Sequence, residues 1–185
     1  RQTLFSSDSM KHYIGGVILF DETIKQKTSL GQSIPELIKT NNSIPGIKVD
    51  KGAKLLAGSY NETVTEGLDG LRERLKEYYA LGARFTKWRA VYNISKGIPS
   101  KQSIKSNAHA LARYAALVQE SNMVPIVEPE VLMDGDHDIE ECYRTTTNVL
   151  NECYNELEIH NVDLKGTVLK PNMIVPGVNS KKKIK

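Results

Sequence analysis

Charged residues follow apolar runs at four places in the chain, and three of these places carry a pair spaced by two. The pairs are Lys48 and Asp50 in Gly46-Ile47-Lys48-Val49-Asp50, Lys87 and Arg89 in Phe85-Thr86-Lys87-Trp88-Arg89, and Glu128 and Glu130 in Ile126-Val127-Glu128-Pro129-Glu130. The fourth place, Val168-Leu169-Lys170-Pro171, carries a single lysine. Residues two apart on a strand share a face, so each pair points one way while Trp88 points the other. A free lysine amine attacks carbonyls, a glutamate can give or take a proton, and a lysine-arginine cluster receives anionic oxygens. Each residue also has a plainer reading. Lys170 alone would be a solvated rim residue, and Lys48 with Asp50 or Lys87 with Glu128 would be structural ion pairs. Recurrence at four apolar runs favours convergence on one site.

Pro129 and Pro171 add a local constraint. A residue before proline is driven out of the helical region, so Glu128 and Lys170 are expected to be held extended where their strands stop. The segments that carry these residues are rich in Val, Ile, Leu and Phe and span residues 14–20, 44–50, 83–91, 124–130 and 166–171. Near-continuous apolar runs of this kind mark strands covered on both faces of a parallel sheet. Helical periodicity lies between them at 68–81, 100–119 and 136–160, with Leu68, Leu71, Leu75 and Tyr78 forming one stripe. Gly82 is the expected C-cap of the first helix, Ser100 the N-cap of the second, and Asp136 or Asp138 that of the third. Alternating strand and helix predicts an α/β protein with parallel strands. The hydrophobic pattern alone does not separate a doubly wound sheet from a (β/α)8 TIM barrel. No G-x-G-x-x-G or P-loop string is present, and charges end four of the five strands, as they do at the C-terminal mouth of a barrel.

Composition narrows the class. At 185 residues, 39% hydrophobic and 25% charged, the chain can bury a sizeable core, which sets aside disordered and fibrous classes. The net charge of +3 is more than supplied by Lys181-Lys182-Lys183-Ile184-Lys185, leaving a slightly acidic remainder and no nucleic-acid footprint. No signal peptide is read at the amino end, and no apolar run approaches the ~20 residues of a membrane span. Cys142 and Cys153 fall in one predicted helix about 16 Å apart, too far to bridge, which fits a reducing, cytoplasmic setting. The start at Arg1 and the stop in a lysine run lead to the expectation that residues 1–185 are an incomplete portion of a single domain.

Seven strings then carry a resemblance. Ile14-Gly15-Gly16-Val17-Ile18-Leu19-Phe20, Gly46-Ile47-Lys48-Val49-Asp50-Lys51-Gly52, Gly67-Leu68-Asp69-Gly70-Leu71, Lys87-Trp88-Arg89, Val124-Pro125-Ile126-Val127-Glu128-Pro129-Glu130, Asp134-Gly135-Asp136-His137-Asp138 and Leu169-Lys170-Pro171-Asn172-Met173 closely resemble class I fructose-1,6-bisphosphate aldolases of the eukaryotic type. The resemblance implies that Lys170 is the Schiff-base lysine and Glu128 the principal proton-transfer carboxylate. It places Lys87, Arg89 and Lys48 on catalytic, substrate- and phosphate-binding positions, with Glu130 in the surrounding charge network. It further implies a metal-free, cofactor-free glycolytic lyase of the cytoplasm. Fructose 1,6-bisphosphate and triose phosphates would be its ligands, and homotetramers its assembly. On this reading residues 14–20 form the second strand and residues 166–171 the sixth, so the chain covers about strands 2 to 6 of eight. The family's first-strand aspartate, the arginine that follows it, the phosphate-binding groups of its last two strands and its C-terminal tyrosine are all absent. The isolated segment is therefore expected to be inactive.

The chemistry implied fits these residue types. A protonated imine accepts electrons from a breaking carbon–carbon bond far better than a ketone does. A lysine with an unperturbed pKa near ~10.4 is protonated at neutral pH, so such a site must favour the free amine, which desolvation and a neighbouring cation both do. Rival readings stand beside this one. A zinc-dependent aldolase would need clustered histidines, whereas His12, His109, His137 and His160 are scattered in sequence with no H-x-x-x-H pair. Asp134-Gly135-Asp136-His137-Asp138 opens like a calcium loop, but Ile139 stands where that loop needs glycine and Thr145 where it needs glutamate, so it reads as an acidic helix N-terminus. The others are a second imine-forming sugar-phosphate aldolase of transaldolase or deoxyribose-phosphate type, and a non-catalytic scaffold with actin or cytoskeletal adaptor binding.

Overall fold

The computed structural model describes residues 2–181, so Lys182, Lys183, Ile184 and Lys185 of the lysine run lie outside the described residues. In chain order the elements are α1 (Gln2–Phe5), α2 (Met10–Tyr13), β1 (Gly16–Leu19), α3 (Asp21–Ile24), α4 (Ile34–Thr40), β2 (Ile44–Lys48), β3 (Ala53–Leu55) and β4 (Thr63–Thr65). They continue with α5 (Leu71–Leu81), β5 (Phe85–Tyr92), α6 (Lys101–Glu120), β6 (Val124–Val131), α7 (Ile139–Ile159) and β7 (Val168–Leu169).

The main sheet has five strands in the order β1-β2-β5-β6-β7, all pairs parallel, while β3 and β4 form a separate antiparallel pair. This order resolves what the apolar pattern left open. A doubly wound sheet reverses direction at a switch point, whereas here each successive main-sheet strand is laid beside the last in one direction. With crossovers of constant hand, the helices then cover one face, as in a (β/α)8 barrel.

Helix boundaries follow their caps. Gly70, at φ 64°, starts α5 three residues later than the periodicity predicts, and Leu68 packs on the core from outside the helix. Gly82 closes it at φ 113°, donating its backbone N–H to the carbonyls of Tyr78 and Tyr79, as expected of a glycine C-cap. Ser100 accepts from the N–H of Ser103 to open α6, and Asp138, rather than Asp136, accepts from the N–H of Glu141 to open α7.

Strand ends depart from expectation in both directions. β5 and β6 run on to Tyr92 and Val131 because the pairs Ala90–Pro129, Val91–Glu130 and Tyr92–Val131 continue their ladder. Lys87, Arg89, Glu128 and Glu130 therefore sit inside these strands and not at their ends. β1, β2 and β7 are shorter than read, Asp50 lies past the end of β2, and Gly166 belongs to a 3-10 turn before β7. Lys170 follows β7 yet stays in register, its N–H donating to the Val127 carbonyl at 2.9 Å.

The core lies between sheet and helices. Trp88, Ala90, Tyr92 and Val127 pack with Leu111, Tyr114, Ala115 and Val118 of α6 and with Val149, Cys153 and Leu157 of α7. Trp88 is fully buried with its ring centroid 5.3 Å from that of Tyr114, while the Tyr114 and Thr86 hydroxyls share a hydrogen bond of 2.6 Å. Cys142 and Cys153 of α7 are both buried free thiols. Among the described residues no helix is long and apolar enough to cross a membrane.

Candidate active site

With Trp88 committed to the helices, Lys87 and Arg89 must point to the other face of β5. The burial alternation of that strand follows the same two-residue period. The register then fixes which groups meet. Lys87 stands beside Ile126 and Arg89 beside Glu128, so each cation reaches the carboxylate two residues further along β6. Lys87 Nζ lies 2.6 Å from Glu128 Oε2, as an ion pair rather than an aligned hydrogen bond, and Arg89 Nε donates to Glu130 Oε2.

β7 brings Lys170 to the same carboxylate. Leu169 is in register with Val127, and one residue on Lys170 Nζ donates to Glu128 Oε1. A single carboxylate thus holds two lysines, one on each oxygen. Their surroundings differ. The Glu128 and Lys87 side chains are 3% and 13% exposed, while that of Lys170 is 55% exposed. Of the two amines that of Lys170 is the more open, and its partner is a carboxylate shielded from water.

On the other side of β5, Lys48 is in register with Lys87. Its Nζ is held by the Asp50 side chain and by the Asp50 carbonyl at 3.1 Å, and lies 6.0 Å from the Phe20 ring centroid. Asp50 is buried and also accepts from the backbone N–H of Gly52 at 3.1 Å and of Arg89 at 3.4 Å, linking the end of β2 to β5. The Arg89 carbonyl accepts from the Thr65 hydroxyl at 2.7 Å. Among the described residues, Lys48, Lys87, Arg89 and Lys170 pair with Asp50, Glu128 and Glu130, an excess of cation suited to phosphate oxygens.

Of the six site residues singled out from the sequence, five lie on these adjoining strands and Lys170 directly follows β7, and Glu128 joins Lys87 to Lys170. A positioning residue lies in the string Leu169-Lys170-Pro171-Asn172-Met173. Asn172 accepts from the Val131 N–H and donates to the Thr146 hydroxyl, both at 3.1 Å, so the turn after Lys170 is tied to β6 and α7. Its place two residues beyond the lysine was the available signal. The histidines need a correction. They are scattered in sequence, but the packing of α6 on α7 brings His109 and His160 together against Glu156. The segment 134–138 behaves as the helix N-terminus expected, through Asp138.

A family model described as class-I fructose-bisphosphate aldolase matches residues 1–185. A protein of Xanthomonas campestris pv. campestris named "Probable fructose-bisphosphate aldolase class 1" is 58% identical over 177 residues, covering 96% of this chain and 53% of that protein. "Fructose-bisphosphate aldolase 4, cytosolic" of Arabidopsis thaliana is 52% identical over 185 residues, covering 100% of this chain and 47% of that protein. A solved structure of fructose-bisphosphate aldolase from Plasmodium falciparum, in a ternary complex with TRAP and a small molecule inhibitor, superposes with a TM-score of 0.95 at 45% identity. That superposition covers 98% of this chain and 53% of the solved one. The chain thus spans about half the length of the relatives it matches, and its sheet is part of a TIM barrel. With residues 1–185 matched throughout, the chain belongs to the class-I fructose-bisphosphate aldolase family.

Proposed function

We propose that the full-length protein cleaves fructose 1,6-bisphosphate reversibly to dihydroxyacetone phosphate and glyceraldehyde 3-phosphate through an imine on Lys170. The observation that carries this reading is the Glu128 carboxylate held between Lys87 and Lys170. For Nζ of Lys170 to attack the substrate ketone it must lose a proton, and Glu128 is the base in contact with it. The same carboxyl, once protonated, donates to the carbinolamine oxygen so that it leaves as water, giving the protonated imine. The bond between the third and fourth carbons then breaks. Its electrons flow to the imine nitrogen to give an enamine, and the fourth-carbon hydroxyl loses its proton as the aldehyde forms. Reprotonation of the enamine and hydrolysis of the imine release the ketose fragment and restore the lysine.

Lys87 is ion-paired with Glu128 and adds positive charge beside Lys170. Arg89 and Lys48 receive phosphate and hydroxyl oxygens, with Glu130 holding the Arg89 fork until substrate arrives. Homotetrameric assembly and a cytoplasmic location are proposed with this activity, supported by the resemblance and by the cytosolic naming of the Arabidopsis relative. The 185-residue segment alone is expected to be inactive, since it spans about half of its relatives.

The test is to incubate the full-length protein with fructose 1,6-bisphosphate and borohydride and to locate the reduced adduct by mass spectrometry. An adduct on Lys170 is expected. Turnover without an adduct, or an adduct on another lysine, would overturn the assignment. Preferential turnover of a deoxy-sugar or sedoheptulose phosphate would instead place the protein among the other imine-forming aldolases.

A further inference from the structure

On the helical layer, Glu156 of α7 is buried at 6% exposure, and among the described residues the basic side chains within 4 Å of its carboxylate are two imidazoles rather than a lysine or arginine. His109 Nδ1, from α6, is 3.0 Å from Glu156 Oε2, and His160 Nδ1, one helical turn beyond Glu156, is 3.6 Å from the same oxygen. The two rings stand edge to face with centroids 4.9 Å apart. One ligand atom from each of the three residues can be chosen so that all lie within 4.8 Å of one another. We propose that His109, Glu156 and His160 bind one divalent transition-metal ion of the zinc type, which clamps α6 to α7.

Three features favour an ion over a closed hydrogen-bonded cluster. The donor set is two imidazoles and one carboxylate, which suits zinc, nickel or copper and not the all-oxygen preference of magnesium or calcium. His160 Nδ1 is 2.8 Å from the Glu156 backbone carbonyl. A ring donating from Nδ1 to a carbonyl keeps its lone pair on Nε2, the outer-shell arrangement that orients metal-binding histidines. The side chain of His109 is 50% exposed, which gives an ion a path in and leaves the ring free to rotate.

Tetrahedral zinc holds its ligand atoms ~3.3 Å apart, so the cluster must contract by roughly 1.5 Å at its widest. Glu156 and His160 lie four residues apart at the C-terminal end and cap of α7, so side-chain rotation of the half-exposed His109 is the freer way to close the cluster. Three protein ligands leave a fourth position for water.

The proposal is tested on chelator-stripped full-length protein at pH 7.5, titrating Zn2+ and, as a control, Mg2+, by calorimetry and thermal melting. Wild type is expected to bind one Zn2+ per chain at this site and to melt at higher temperature with Zn2+ but not with Mg2+. His109→Ala and His160→Ala should each weaken that binding at least ~10-fold and abolish the melting increment. His109 is half exposed, so its variant should melt like wild type without metal, and Co2+ in wild type should give the visible bands of a four-coordinate site. Lack of saturable Zn2+ binding, or Zn2+ binding unchanged in a folded His109→Ala, would overturn the proposal.

Discussion

Glu128 and Lys170 lie 42 residues apart in sequence and meet Oε1 to Nζ across β6 and β7, while the second oxygen of Glu128 faces Lys87 at 2.6 Å. On the proposed mechanism this carboxylate, 3% exposed and in contact with the more open lysine, passes protons as well as balancing charge. Glu128→Gln keeps the volume but cannot exchange that proton, so kcat should fall by about 10²–10⁴-fold in a steady-state cleavage assay. Borohydride should still mark Lys170, only more slowly. The variant should also lose stability, with ~3–5 kcal/mol as the upper range for a broken buried pair, because Lys87 keeps a charge without its partner. Unchanged kcat would remove Glu128 from the proton path.

Arg89 separates binding from stability. Its pair with Glu130 has side chains 43% and 27% exposed, so losing the pair should cost folding no more than ~1 kcal/mol. A charge-assisted hydrogen bond to a phosphate is worth about 1.5–3 kcal/mol, or ~10–100-fold in kcat/KM. Arg89→Ala should therefore lower kcat/KM by that factor, mostly through KM, at nearly unchanged melting temperature. Arg89→Lys keeps the charge but not the fork and should recover only part of the loss. A melting shift larger than the kinetic change would make Arg89 structural instead.

Much of this arrangement was legible in the sequence because it is written with local periods. Lys87 and Arg89 had to share a face opposite Trp88, and the buried Trp88–Tyr114 contact shows that face turned to the helices. The winding direction was not legible, since apolar runs mark a covered strand without saying which neighbour it takes, and only the order β1-β2-β5-β6-β7 settles it. α4 carried a readable sign in Ser33-Ile34-Pro35-Glu36, where the Ser33 side chain accepts from the Glu36 N–H while the Glu36 carboxylate accepts from that of Ser33. With only Ile34–Thr40 in the helix, its apolar stripe was too short to register. β3 is exposed at all three positions and shows no alternation to find. The meeting of His109 with Glu156 joins residues 47 apart on two helices, a tertiary contact with no local trace.

The sheet face below the cations depends on an absent side chain. A Cβ on Gly46 would run into the ring of Phe85, and one on Gly16 would stand 3.0 Å from the same ring, so Phe85 occupies space that both glycines leave. Gly46→Ala should destabilise the protein by ~1–3 kcal/mol in urea denaturation, the range for overpacking. In a Phe85→Ala background most of that cost should vanish, because the two changes share one contact. Strict additivity of the two would show that the ring is not what excludes the methyl group.

Alkaline pH should weaken the fold through Cys153. Burial on the inner face of α7 pushes its thiol from 9.0 up to about 12, and burial likewise raises the hydroxyls of Tyr92 and Tyr114 above their ordinary 10.0. The folded protein keeps protons that the unfolded chain releases above pH 9, so the stabilisation is complete below that pH and is lost as pH climbs toward 12. Each such proton steepens the decline by up to ~1.4 kcal/mol per pH unit. Urea denaturation at pH 8, 9, 10 and 11 should show stability falling from about pH 9, and Cys153→Ala should shift the onset upward toward the tyrosine range. The same burial predicts that iodoacetamide leaves Cys153 unmodified at pH 8 until urea unfolds the chain. Rapid alkylation of Cys153 under native conditions, or an onset that Cys153→Ala leaves in place, would show that this thiol does not set the alkaline limit.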